Sequence, residues 1–220
     1  MTDLTELWPL AGLRVRSGDL ELRFLDDEHL LALARLAGDG VHAPDAMPFT
    51  VPWTRGTPTE VARSVLAYQW GRRGSASPEA WTLELAVVRG GEVVGTQALM
   101  SKDFLVTREA ETGSWLGLRH HGQGIGRRMR LMVLHLLFEG FDGLRATTSA
   151  FEDNSASNGV TRRLGYVPNG VDVLTREGRP ARSNRYVLDR AAWDARPDEL
   201  RPDVTLVGVE AARVQLGLGA

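Results

Sequence analysis

The 220-residue sequence contains no cysteine. That excludes a disulfide framework, a thiolate metal site and a cysteine nucleophile. The length alone can bury a core without cross-links. Lysine is nearly absent as well: Lys102 is the only one, and every other cation is an arginine. Such a bias reads first as codon usage and decides little by itself. No stretch approaches the roughly 20 apolar residues of a membrane helix. Met1 to Leu10 carries Asp3 and Glu6 in place of an apolar leader. The expectation is a soluble, cytoplasmic protein with no membrane partner. A formal net charge of -2 argues against a nucleic-acid surface. No spacing of His, Asp and Glu suggests a metal, so none is expected.

What is present is an alternation of strand and helix signals. Leu20 to Leu25 alternates as a strand, and Asp26 to Ala37 places Leu30, Leu33, Ala34 and Ala37 on one helical face. His42 to Arg55 has three prolines, which exclude regular structure, yet it carries Met47, Phe49 and Trp53. So apolar a loop is expected to pack over something. Thr57-Pro58-Thr59-Glu60 is a capping box with proline at the first helical position. Val61, Val65 and Leu66 then mark a buried face, and a turn-rich break is expected from Gly71 to Ala80. Thr82–Arg89 and Glu92–Met100 read as a hairpin joined by Gly90-Gly91. Glu111 to Leu118 is a further strand. Ile125 to Phe138 is a helix that is apolar almost all round and hence deeply buried.

Leu144 to Ala150 is the next strand. Ser155 to Leu164 is a short helix ended by Arg162, Arg163 and Gly165. Val171–Arg176 and Arg182–Leu188 close as an antiparallel pair. A strand within Val204–Val209 leaves pairing between subunits, and so a homodimer, open. The order predicts an α/β (α+β) fold: a mixed, mostly antiparallel twisted sheet with helices on both faces. One strand–glycine turn–helix–strand unit forces a parallel pair within it. Residues 1–190 are expected to form one domain, with 191–220 an extension packed on it or on a partner subunit.

The central turn reads Leu118-Arg119-His120-His121-Gly122-Gln123-Gly124-Ile125-Gly126-Arg127-Arg128. Three alternate glycines close a strand and open a helix. Glycine lets backbone amides converge without Cβ clashes, and a helix N-terminus adds unsatisfied donors and partial positive charge. Together they suit a diphosphate. Arg127 and Arg128 oppose the helix dipole, a placement that makes sense beside a polyanion. A P-loop is excluded, because no lysine follows the glycines. A dinucleotide fingerprint fails in both frames, at Arg127 and at Met129. A tight turn with no ligand is the plain alternative.

This turn resembles the acyl-CoA pyrophosphate loop of the GNAT acetyltransferases, [Gln/Arg]-x-x-Gly-x-[Gly/Ala], through Gly124 and Gly126. His121 stands where the family has Gln or Arg. A shifted frame, Arg119, Gly122 and Gly124, is the less favoured reading. After the next strand, Asp153 to Tyr166 (DNSASNGVTRRLGY) is similar to the family's Asn-x-x-Ser-x-x-Val-x-x-[Lys/Arg]-Leu-Gly-Phe segment. The Trp115-Leu116-Gly117-Leu118 run and the loop before Thr57 look like the RimJ/RimL-type branch, which acts on protein N-termini and small amines.

The resemblance implies an acyl-CoA-dependent N-acyltransferase with a GNAT-like fold. Its co-substrate is acetyl-CoA or another acyl-CoA, and its partner is a protein N-terminus or a small-molecule amine. The strand carrying Trp115 is expected to part from the strand carrying Thr147, and pantetheine fills the gap. Trp115, Leu116 and Leu118 line it; His121, Gly122, Gln123, Gly124, Ile125, Gly126 and Arg127 hold the diphosphate. An amide near Leu116 faces the thioester oxyanion. Trp115 also reads as plain core. Asn154 bonds pantetheine or the amine, or simply caps a helix. Ser157 protonates the leaving thiolate, or only caps; Tyr166 packs in the core, with its hydroxyl as an alternative donor. Glu111 is the leading general base, with Glu84 and Asp103 behind it, and His120 and His121 are expected nearer the phosphates. Phe49 and Trp53 form an acceptor-side wall or a satellite cluster. Without a nucleophile elbow, attack is direct, in a ternary complex. A CoA-binding module with little catalysis and a nucleotide enzyme are the other readings.

Overall fold

Alternating apolar residues pair nine strands of this chain into one sheet, in the order β7-β8-β6-β5-β4-β3-β2-β1-β9. The computed structural model describes residues 3–219; Met1 and Thr2 of the N-terminal segment lie outside the described residues. The strands are β1 Arg14–Ser17, β2 Leu20–Phe24, β3 Ala80–Arg89, β4 Glu92–Lys102, β5 Glu109–Leu116, β6 Arg145–Phe151, β7 Val167–Arg176, β8 Arg179–Asp189 and β9 Thr205–Val207. The helices are α1 Leu4–Leu7, α2 Asp27–Asp39, α3 Pro58–Gly74, α4 Phe104–Thr107, α5 Ile125–His135, α6 Ser155–Arg163, α7 Arg190–Asp194 and α8 Val209–Gln215. Every neighbouring pair is antiparallel except β5 and β6. That parallel pair follows from the β5–α5–β6 crossover, since parallel neighbours need a helix-length connection. The mixed, mostly antiparallel fold expected from the sequence is the fold observed.

Side chains alternate across the strands and so divide the core in two. On one face α5 lays Ile125, Met129, Met132 and Val133 against Leu85, Val87, Leu99 and Leu116. On the other, α2 and α3 bury Leu33, Ala37, Val61 and Val65 over Ala86 and Val88. Asp26 caps α2 by accepting from the His29 amide, and Thr57 and Glu60 form the reciprocal capping box of α3. α3 does not break at Gly71 as expected but continues to Gly74. Arg73 bonds Asp27 and the Leu25 carbonyl, and Arg72 stacks over Tyr68. Those contacts outweigh the roughly 1 kcal/mol that glycine costs a helix.

β1, α1 and α4 carry too little periodicity to be predicted. β9 pairs with β1 of its own chain, Arg14 opposite Val207, and forms one edge of the sheet with Val207 exposed. Past Arg190, Trp193 is 1% exposed and stacks on Phe138 at 5.0 Å, with its indole N–H donating to Glu139 at 2.6 Å. No helix among the described residues is long and apolar enough to cross a membrane.

Burial this complete makes the segment after Arg190 part of the main core. Trp193→Ala should lower unfolding free energy by about 3–5 kcal/mol in urea denaturation followed by fluorescence. A loss below about 1 kcal/mol, the level of a surface change, would mark the segment as peripheral.

Candidate active site

Gly122 and Gly124 take φ of +73° and +75°, a left-handed backbone that side chains rarely adopt. A Cβ built at either position meets no atom within 4 Å, so the turn opens outward. α5 then starts at Ile125, with the first bond of the helix running from the Arg128 amide to the Gly124 carbonyl at 3.3 Å. Among the described residues, no acceptor lies on the amides of Gly122 to Arg127. A row of free donors at a helix N-terminus is an anion cradle.

The side chains around this turn mostly brace it. Gln123 donates to the Arg119 carbonyl at 3.0 Å and accepts from Arg89 at 2.8 Å. Arg119 is committed to Asp39 and Glu92, which disfavours the shifted frame. Arg128 pairs with Asp19 at 2.6 Å, and Arg89 holds the same carboxylate at 2.8 Å. The bonds from Arg89 and Arg128 pull the Asp19 pKa to about 2. Arg127 bonds only the Glu199 carbonyl, at 3.4 Å, and leaves Nε without a partner. Of the arginines around the turn, Arg89, Arg119 and Arg128 are paired with carboxylates, and Arg127 is not.

Both histidines turn away from their expected place. His120 is buried, with its Nε2 accepting from Arg119 at 3.1 Å, and burial lowers its pKa. His121 lies with Nε2 3.0 Å from the Leu116 carbonyl, so its ring serves the strand end.

β5 pairs with β6 at only three positions, Glu109–Arg145, Ala110–Ala146 and Glu111–Thr147. β5 continues to Leu116 and β6 to Phe151 without pairing again. The two strands form a fork that opens toward the glycine turn. The Gly117 amide bonds the Val94 carbonyl at 3.0 Å, and antiparallel alternation then turns Trp115 and Gly113 toward β4 as well. Leu116, Ser114 and Thr112 therefore present their backbone groups to the fork. Two expected residues drop out of that lining. Trp115 spends its backbone on β4, and its ring packs on the α2–α3 face. Leu118 lies beyond the strand, in a tight turn, with its amide on the Gly40 carbonyl at 3.0 Å.

On the α2–α3 face, a cavity of about 590 Å³ lies at the closed end of the fork, against Glu111, Thr147, Met100, Lys102 and Arg72. Glu111 reaches solvent, yet surrounding protein raises its pKa and Glu109 adds like charge. Glu84, on the same face, is bound by Tyr68 at 3.1 Å and Thr96 at 3.0 Å, and burial raises its pKa. Asp103 is exposed on the turn into α4. A ladder of rings, His42, Phe49, Trp53 and Trp115, steps across this face at 5.9, 4.9 and 5.5 Å. Arg55 in the same loop pairs with Glu177 at the β7–β8 tip at 2.8 Å, and Arg176 reaches Asp153 at 2.7 Å.

Residues 19–167, about two thirds of the chain, match the family model of the acetyltransferase (GNAT) domain. The chain belongs to the GNAT acetyltransferases. Solved structures share the fold of this acetyltransferase. Mycobacterium smegmatis RimJ in complex with CoA-disulfide is 20% identical, covering 96% of each chain with a TM-score of 0.67. RimL, a ribosomal L7/L12 alpha-N-protein acetyltransferase in complex with coenzyme A, is 24% identical over 80% of this chain and 97% of its own, TM-score 0.62. A GCN5-related N-acetyltransferase from Brucella melitensis is 18% identical over 86% and 83%, TM-score 0.68. Membership makes the protein an acyl-CoA-dependent N-acetyltransferase in general terms.

The remaining expected residues of this GNAT enzyme lie on the β6 arm of the fork. Asn154 caps α6, its side chain accepting from the Ser157 amide at 3.1 Å. Ser157 is half-buried on the first turn of α6. Tyr166 is buried, with its hydroxyl 3.5 Å from Thr112, and burial raises its pKa. Two residues escaped the sequence reading. Asn158 is a buried hub that donates to the Phe151 and Asn154 carbonyls and accepts from Tyr186 and Asn184. Its four-residue spacing from Asn154 was the available signal. Arg130, inside an apolar helix, reaches Ser114 at 3.2 Å and Thr148 at 3.5 Å; its charge among apolar neighbours was the signal.

The open turn predicts the behaviour of Gly124 variants. Gly124→Ala adds only left-handed strain, about 1–2 kcal/mol. Gly124→Asp adds that strain and a negative charge at the anion cradle. Calorimetric titration with CoA should show a modest loss for the first and loss of more than about tenfold for the second. Equal affinity for Gly124→Asp and the parent would remove the turn from the binding site.

Proposed function

We propose that the protein transfers an acyl group from acyl-CoA directly to a primary amine, on a protein N-terminus or a small molecule. The free amides of Gly122 to Arg127, set at the mouth of the β5–β6 fork, carry this reading. Gly122, Gln123, Gly124, Ile125, Gly126 and Arg127 would receive the diphosphate through the backbone, with Arg127 adding charge. The pantetheine arm would enter the fork at its mouth, beside the outward groups of Leu116. His121, through the Leu116 carbonyl, would hold that strand end in place. The Leu116 amide would face the oxyanion as the thioester carbonyl turns tetrahedral.

The amine would enter from the α2–α3 face, through the cavity at the closed end of the fork, and pass toward the thioester held at Leu116. Phe49 and Trp53 form the wall on that side. An N-terminal amine, with a pKa of about 8, needs less help to shed its proton than a lysine. Glu111 would accept it through intervening water as the C–N bond forms, and the C–S bond would break with its electrons on sulfur. Ser157 or the still-protonated Tyr166 would return a proton to the thiolate, and Asn154 would steady the pantetheine amide. The RimL structure is that of an enzyme acting on a ribosomal protein N-terminus, which favours peptides as the first acceptors to try.

Thiol release from acetyl-CoA, with a panel of peptides bearing free N-termini and of small amines, tests the activity. Release with at least one acceptor is expected. CoA binding with no release from any acceptor would favour a binding module, and thermal stabilisation by ATP or NAD but by no CoA would overturn the reading. The proton path has its own test. A raised Glu111 pKa means that the basic carboxylate is lost, as pH falls, above the usual carboxylate range. The acid limb of kcat/KM should therefore lie there. Glu109→Gln removes the like charge and should move it to lower pH. Glu111→Gln should abolish the limb and lower the rate by about 10²–10⁴-fold. An unchanged limb in Glu111→Gln would give the role to another group.

A further inference from the structure

Arg130 is 5% exposed, on the inner side of α5. Its guanidinium lies across the fork, bonded to Ser114 on one arm and Thr148 on the other. Thr148 passes its own hydroxyl hydrogen to the Thr112 carbonyl at 3.0 Å. No carboxylate among the described residues pairs with Arg130, and its Nε has no partner. Tyr166, the titratable group that acts on Arg130, keeps its proton because it is buried, and supplies no negative charge. Arginine stays ionised even here. A cation held out of water by two hydroxyls is poorly compensated, because a buried charge needs a counter-charge or several strong bonds.

Given the function proposed above, the missing counter-charge falls where the acyl group would lie. We infer that Arg130 selects acyl-CoA thioesters whose acyl chain ends in a carboxylate, as in the mono-CoA thioesters of short dicarboxylic acids. Ser114 is two residues from Leu116, about 7 Å along the strand. That is the span from a carbonyl at the Leu116 amide, through two methylenes, to a carboxylate on the guanidinium. The transfer itself is unaltered: the amine nitrogen bonds the thioester carbon, the C–S bond breaks, and the amine proton ends on the CoA thiol. The distal carboxylate stays ionised throughout and serves only in recognition.

Binding to the full chain tests this without a known acceptor. Calorimetric titration would compare CoA, acetyl-CoA, succinyl-CoA and the neutral succinamoyl-CoA. Succinyl-CoA should bind at least about tenfold tighter than the other two thioesters, the worth of one bond to a charged partner. Arg130→Met should erase that preference while changing acetyl-CoA affinity by no more than about twofold. Should Arg130→Met fail to fold, the succinyl-to-succinamoyl ratio in the parent protein still decides. Equal binding of all three thioesters overturns the inference and leaves the CoA site standing. Failure to bind CoA or any thioester overturns the site with it.

Discussion

The parting of β5 from β6 is the constraint on which the rest of the molecule depends. A parallel pair that stays zipped satisfies its own backbone and has nothing to offer a ligand. Here pairing stops after Glu111–Thr147, and the outward groups of Thr112, Ser114 and Leu116 are left without a neighbouring strand. Peptide groups in that state demand partners. Side chains meet part of the demand: Thr148 bonds the Thr112 carbonyl, and His121 lies on the Leu116 carbonyl. An extended chain of amides, such as pantetheine, can meet the remainder. Both ends of the fork are then explained together, the glycine turn at its mouth and the carboxylates at its closed end.

The two faces of the sheet divide the labour. α5 brings donors and cations to one face, and α2, α3 and the aromatic loop shape the other. Strand alternation enforces the division, because a residue such as Trp115 cannot serve both faces. Its backbone belongs to β4 and its ring to Trp53, which is why adjacent residues in the Trp115–Leu118 run have such different surroundings.

Much of this was legible in the sequence because local chemistry and tertiary structure agree there. The capping box at Thr57, the Gly90-Gly91 hairpin and the glycine turn each depend on a few neighbouring residues, and each formed as read. The fork was anticipated only through the family resemblance, since no local signal tells a strand where its partner leaves it. Side-chain commitments were the least legible. His120, His121 and Arg119 look like phosphate ligands by proximity in sequence, but Asp39, Glu92 and the Leu116 carbonyl claim them from other elements. Arg130 was hidden for the same reason, because its partners lie 16 and 18 positions away. β1 is too short to show a period and is revealed by its pairing with β2 and with β9, the latter inside the strand expected at Val204–Val209.

That last pairing has a kinetic side. Arg14 meets Val207, so the edge of β1 that does not pair with β2 waits for a partner nearly the whole chain away. Contacts of such sequence separation form late, because a large loop must close before they contribute anything. Until then β1 presents a bare edge to any strand that passes, including one from another copy emerging nearby. An edge that closes so late is one place where a chain of this topology can misassemble during synthesis.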